Sequence, residues 1–391
     1  MTTTTLHTKH IGAIRGKTSD GLVEKCDSGI LDATKDGPTA ISPLFGCDLE
    51  QSAIQHTLPK KELPQSDIDC LNLNIAVPEG TTASSKLPAR FVKLSIEKNL
   101  LIVAVAINYR LGAFGFLTSD ELRNAGYKAN NGLRDQKVAM QWVRRHIADF
   151  GGDPDNMTVA GMSAGAASVT YHLSSEVALF KRAIAMSGSY LFNRALPYEV
   201  HAHNYQQAIS ALGLANATTQ ERIQALSELI AKLPPSILTA PAVDGDIILS
   251  APSYAHTANI TSNVPKRRDW YTDLMIGNAQ MDSSILGILM PNMKEGCAKK
   301  FITAMNTVLS SEPVIAQRIL DGYGIAPETP DDIALSAVLD YINDICSFAP
   351  TLSFARGLRW NAYVYYFNEG NPWDGPWKGR ATHILDQAYL F

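Results

Sequence analysis

The stretch LLIVAVAIN, Leu100 to Asn108, is an uninterrupted apolar run rich in β-branched residues. Such a run has no polar face to show to water, so it predicts a strand buried on both sides, as in a parallel sheet covered by helices. The segments after it fit that plan. From Gly132 to Phe150 the apolar residues Ala139, Trp142, Val143, Ile147 and Phe150 follow a helical period, with His146 on the same stripe as a packed histidine. FGGDPDN then turns the chain into MTVAG, a short strand, followed by a helix of small residues, AGAASVTYHL. RAIAMSGS, LMIGNA and AYVYYFN read as three further buried strands. Helical insertions separate them, around 200–235 and 290–350. In the first, Thr218 and Glu221 form a capping box ahead of Ile223, Leu226, Ile230 and Leu233; in the second, Leu335, Val338, Leu339 and Ile342 share a face. Strands alternating with helices predict an α/β fold with a mostly parallel central sheet, read as one domain over residues 1–391.

Composition narrows the function classes. A net charge of −4 gives no reason to expect nucleic acid as a partner, and the basic knot Lys266-Arg267-Arg268 reads as a solvated loop. The polar start MTTTTLHTKH lacks the apolar core of a secretory signal, and no run approaches the ~18 apolar residues of a membrane span. The expectation is a cytoplasmic chain without a stable membrane anchor. Five cysteines are too few and too scattered for a disulfide scaffold or a metal cluster. Cys346 falls on an apolar stripe, and no metal or organic cofactor is expected.

Within VAGMSAGAAS, Ser163 sits in a Gly-x-Ser-x-Gly motif. Chance alone yields that pattern in roughly one chain in ten of this length, but here it falls between a strand and a helix, where a nucleophile elbow belongs. A serine on so sharp a turn is strained, and the expectation is that Gly161 and Gly165 remove side chains that would collide. The helix starting at Ala164 points backbone N–H groups at the reacting centre, so Ala164 is the expected oxyanion donor. A serine nucleophile needs a base and the base an orienting acid, in the order Ser, Asp or Glu, His on a sheet of this type. His172, His201, His203, His256 and His383 follow Ser163, and only His383 also follows LMIGNA. The same strand delivers Asp282; Asp244, Asp246 and Asp340 are alternatives with no comparable strand before them.

The wording of several segments resembles the type B carboxylesterases and lipases, the family that includes the cholinesterases. SDIDCLNLNI, INYRLGAFGFL, NNGLRDQKVAMQWVRRHIADFGGDPDN and AMSGS are similar to that family's motifs across nearly the whole chain. GNAQMDS places Asp282 where the family has its acid, and HILD matches its His-x-x-Asp. The resemblance implies an α/β-hydrolase fold, no cofactor, and hydrolysis of a small-molecule carboxylic ester by Ser163, His383 and Asp282. It also implies a disulfide between Cys47 and Cys70, although thiols are the expectation for a chain that is not exported. By the same reasoning, the sequons at Asn156, Asn216 and Asn259 carry no information.

The chain departs from the family in four places. Met162 replaces the glutamate before the nucleophile. In SSKLPARFVKLSIEKN, Pro88 joins directly to Ala89 where the family inserts a buried strand ending in His-Gly-Gly-Gly, and no His-Gly-Gly occurs anywhere in the chain. The early Gly-Ile-Pro-Tyr-Ala tract is missing between Val23 and Leu31, and the chain ends eight residues after His383 where relatives continue. Those glycines supply most of the family's oxyanion hole. The expectation is therefore a sheet short of one central strand, and either an ester hydrolase of reduced turnover or a spliced, truncated or non-catalytic binding homologue.

Overall fold

The computed structural model describes residues 3–17, 24–25, 30–33, 36–42, 46–59, 63–78, 87–229, 240–264 and 268–390. Its strands fall into four ladders. The first holds β1 (Thr3–Thr8), β2 (Gly12–Lys17), β3 (Glu24–Lys25) and β4 (Ile30–Ala33) in the order β1-β2-β4-β3. β5 (Thr39–Ala40) and β6 (Gln65–Ser66) form a short parallel pair, and β7 (Leu73–Ala76) lies antiparallel to β8 (Ala104–Ile107). The fourth ladder is wholly parallel. It runs β12-β11-β10-β9, with β9 at Thr158–Met162, β10 at Arg182–Met186, β11 at Asp273–Ala279 and β12 at Asn361–Phe367.

This ladder is where the predicted parallel sheet appears. Its central strands are the dry ones, since Ala183, Ala185, Leu274 and Ile276 are all fully buried. They pack against Leu133 and Met140 of the helix Asn131–His146, Ala166 and Val169 of the helix Ala164–His172, and Phe354 of the helix Ala349–Gly357. Each such fully buried aliphatic or aromatic side chain is worth about 1.5–3 kcal/mol of transfer free energy. The buried face of Asn131–His146 carries Leu133, Gln136, Met140 and Val143. Of the predicted stripe Val143 and Ile147 are buried, whereas Ala139, Trp142 and Phe150 are only half-buried.

Two strands differ from expectation for one reason: among the described residues each has a neighbour on one side only. LLIVAVAIN is not buried on both faces. Only Ala104–Ile107 is strand, while Leu100 and Leu101 are 71% and 65% exposed. AYVYYFN forms an edge, with Tyr363, Val364 and Tyr366 exposed. Among the described residues β9 pairs only with β10, so its other edge is open. The chain passes through the Pro88–Ala89 junction in the helix Leu87–Glu97, with proline in the first turn, where its missing N–H costs nothing.

The insertions are helical. Tyr198–Ala211 and Thr219–Leu229 occupy the first, and the Thr218 amide donates to Glu221 at 2.7 Å as the capping box requires. Ile230 and Leu233 lie outside the described residues, as do Lys266 and Arg267. The second contains Cys297–Val308, Pro313–Tyr323 and Asp331–Asn343, with Val338, Leu320 and Ile325 in a separate apolar cluster. No described helix is long and apolar enough to cross a membrane.

Candidate active site

β9 ends at Met162, and the chain turns at once into the helix Ala164–His172. Between them Ser163 has φ 52° and ψ −117°, a conformation that non-glycine residues adopt only where the surroundings enforce it. Several contacts do the enforcing. The Ser163 amide donates to the Met186 carbonyl at 2.8 Å, and its own carbonyl accepts the first intrahelical bond from Ala167 at 3.0 Å. The N–H groups of Ala164, Gly165 and Ala166 precede that bond and have no partner within the helix.

The glycines around the turn do not share the work as expected. A Cβ on Gly161 would lie 2.4 Å from the Gly165 backbone, so Gly161 has to be glycine. A Cβ on Gly165 would meet nothing within 4 Å, which corrects the expected symmetry of the motif: the backbone of residue 165 lies against Gly161, but its own side-chain direction faces open space. The second obligatory glycine is Gly188, whose Cβ would lie 2.2 Å from the Ser163 carbonyl oxygen. It belongs to AMSGS, two residues beyond the end of β10, and was legible only within a strand-like run and a family-like motif, not as an obligatory glycine.

β11 delivers Asp282 just beyond its C-terminal end, and the segment after β12 delivers His383. Two backbone contacts join these segments. The Met281 amide donates to Ala381 at 2.8 Å, and Met281 and Thr382 form an isolated parallel bridge. The helix Gly46–Ile54 supports the arrangement from below, since Thr382 Oγ1 donates to the Ala53 carbonyl at 3.1 Å. From that helix Glu50 brings a carboxylate within electrostatic reach of His383; nothing in the local pattern of the sequence signals this. Ile384 adopts φ 70°, a rare choice for a β-branched residue, so both Ser163 and the neighbour of His383 sit on strained backbone.

The three side chains form one line. His383 Nδ1 lies 2.9 Å from Asp282 Oδ1, and His383 Nε2 lies 3.0 Å from Ser163 Oγ. Asp282 Oδ2 accepts from the Ala279 amide at 3.1 Å, so both carboxylate oxygens are engaged. With an ionised Asp282, Nδ1 carries the proton and donates, which leaves Nε2 to accept from the serine hydroxyl. His383 and Asp282 are each 4% exposed. The Asp386 of HILD does not reach the imidazole. It is buried, which pushes its carboxyl up, and it accepts from Tyr365 Oη at 3.0 Å.

Most of the alternatives are committed elsewhere, and His203 is exposed. Asp244 and Asp246 pair with Arg134 at 2.9 and 2.7 Å, and Arg380 reaches Asp340 at 3.4 Å. His172 faces Gln136 at 2.9 Å, and burial drives its pKa down to about 3. His201 contacts the Pro241 carbonyl, and His256 closes a cap with Ser253. Cys47 and Cys70 are separate thiols, not the disulfide implied by resemblance: Cys47 is exposed, while Cys70 is buried and points its thiol at the Asp67 carbonyl.

Comparison with known proteins agrees with this architecture. The chain is 27% identical over 395 residues to para-nitrobenzyl esterase of Bacillus subtilis (strain 168), covering 93% of this chain and 73% of that protein. It is 28% identical over 371 residues to cholinesterase of Mus musculus, covering 83% of this chain and 59% of that one. It is 30% identical over 376 residues to thyroglobulin of Rattus norvegicus, where the match spans 84% of this chain but only 13% of that protein. The model of the carboxylesterase family matches residues 24–391, and the chain therefore belongs to that family, with its α/β-hydrolase fold.

Proposed function

We propose that this protein hydrolyses small-molecule carboxylic esters through an acyl-enzyme, with Ser163 as nucleophile, His383 as base and Asp282 as the orienting acid. The observation that carries the reading is the unbroken pair of hydrogen bonds, 2.9 and 3.0 Å, linking three residues far apart in the chain. Ser163 Oγ attacks the ester carbonyl as its proton passes to His383 Nε2, and Asp282 stabilises the imidazolium that forms. The imidazolium then protonates the departing alcohol. A water molecule, losing its proton to the same nitrogen, releases the acid and restores Ser163.

The charge that develops on the carbonyl oxygen needs donors. The Ala164 N–H stands at the N-terminus of its helix, where the helix dipole also favours an anion. The chain has no His-Gly-Gly to supply others, and among the described residues β9 has a strand on one side only, which leaves the other side for a strand of that kind. Loss of one oxyanion donor lowers turnover by about 10²–10³, so we expect turnover reduced by at least that much against relatives with the full set. The same open edge favours a second reading, a homologue that keeps the triad geometry but does not turn over.

Intact-mass analysis after incubation with a fluorophosphonate separates the two. A single adduct, abolished by Ser163→Ala, supports the hydrolase. Absence of an adduct on folded protein overturns it in favour of the second reading.

A further inference from the structure

A second group of chemically capable side chains lies apart from the triad. His10 stands in the turn between β1 and β2, His146 ends the helix Asn131–His146, and Asp149 follows in the 3-10 turn Ile147–Phe150. One ligand atom from each falls within 4.8 Å of the other two. Asp149 Oδ2 accepts from the His10 backbone amide and faces His10 Nδ1, both at 3.3 Å. The His10 and His146 rings meet edge to face at 6.1 Å, and Trp142 packs on His146 from the other side at 4.8 Å.

An ordinary His–Asp pair accounts for His10 and Asp149 but not for His146. The Nδ1 atom of His146 is buried and has no hydrogen-bond partner, a loss of about 1–3 kcal/mol that native structures rarely leave uncompensated. The spacing is suitable as well. A tetrahedral zinc with bonds of about 2.0–2.1 Å holds its ligand atoms about 3.3 Å apart; His10 Nδ1 and Asp149 Oδ2 already stand at that separation, and the His146 ligand atom lies within 4.8 Å of both, so its ring has to close in on the ion. The carbonyls that end the helix add a partial negative charge, and Arg145 is the cation that opposes it.

We propose that His10, His146 and Asp149 bind a divalent zinc-class ion, with water as the fourth ligand, and that the ion staples the β1–β2 hairpin to the helix leading into β9. Two imidazoles and one carboxylate suit zinc, and select against calcium and magnesium, which take oxygen ligands.

The test is calorimetric titration of tag-free protein with zinc chloride in a non-coordinating buffer, followed by the visible spectrum of the cobalt(II) form. The expected result is one saturable site with the intense absorption of tetrahedral cobalt. Changing groups outside the first ligand sphere already costs zinc sites about 10–100-fold in affinity. His10→Ala and Asp149→Asn, both outside the core, should therefore each weaken binding by at least about tenfold. Absence of saturable binding to the wild-type protein, or wild-type affinity in His10→Ala, overturns the proposal. His146→Ala would also remove the packing partner of Trp142, which is why the test uses the other two ligands.

Discussion

Gly188 and Gly165 flank the same serine, yet the geometry assigns them opposite tolerances. Gly188→Ala drives a methyl group into the Ser163 carbonyl. It should lower fluorophosphonate labelling rates by more than about tenfold and destabilise the fold by about 1–3 kcal/mol. Gly165→Ala meets open space in a helix, so its stability in urea should be unchanged or raised by up to about 1 kcal/mol. His172 makes a prediction about acid. Its pKa is held near 3 in the folded protein, against about 6.5 in an unfolded chain. Below pH 6.5 the unfolded state therefore binds a proton that the native state refuses, and stability falls as pH drops through that window. Between pH 7 and pH 5 the loss from this group is about 2 kcal/mol. It should be abolished in His172→Gln, as read from urea midpoints at the two pH values.

β9 leads into Ser163, the proposed nucleophile, and among the described residues has a neighbour on one side only, whereas β10 and β11 are paired on both sides. Amide exchange should register this difference, with alternate β9 amides exchanging at least about tenfold faster than those of β11. Uniform protection across the four strands would mean that something else covers β9. A different interaction fixes the segments that resembled family motifs most closely. Arg110 Nε and Nη2 donate to Asp135 at 2.8 and 2.7 Å, and Cβ atoms at Gly115 and Gly132 would both lie under 3 Å from the Arg110 carbonyl. Asp135→Ala leaves the guanidinium without its acid and should cost about 2–3 kcal/mol in urea unfolding. These contacts also show what could be read in advance. β9, β10 and β11 announced themselves by dry, β-branched or small-residue runs, and the order Ser, Asp, His singled out the three residues proposed as the triad. LLIVAVAIN and AYVYYFN looked equally dry, because a run of apolar residues records side-chain character and not the number of neighbours a strand acquires. Gly188, Ile384 and the His10–His146–Asp149 group depend on contacts between distant segments, for which a single sequence has no local signature.

The proposed triad draws one residue from the end of β9, one from beyond β11 and one from beyond β12, so the same hydrogen-bonded ladder positions all three. Loss of fluorophosphonate labelling in urea should therefore coincide with loss of the ladder's circular dichroism. Labelling lost at lower urea would show that the segment bearing His383 opens on its own, released from Met281 and Ala53. The same geometry has a consequence for synthesis. Ser163 and His383 stand 220 residues apart, and at about 5–20 residues per second a ribosome takes roughly 11–44 s to pass from one to the other. During that interval the nascent chain carries Ser163 with no imidazole beside it, and the proposed chemistry has to wait until His383 has emerged and docked.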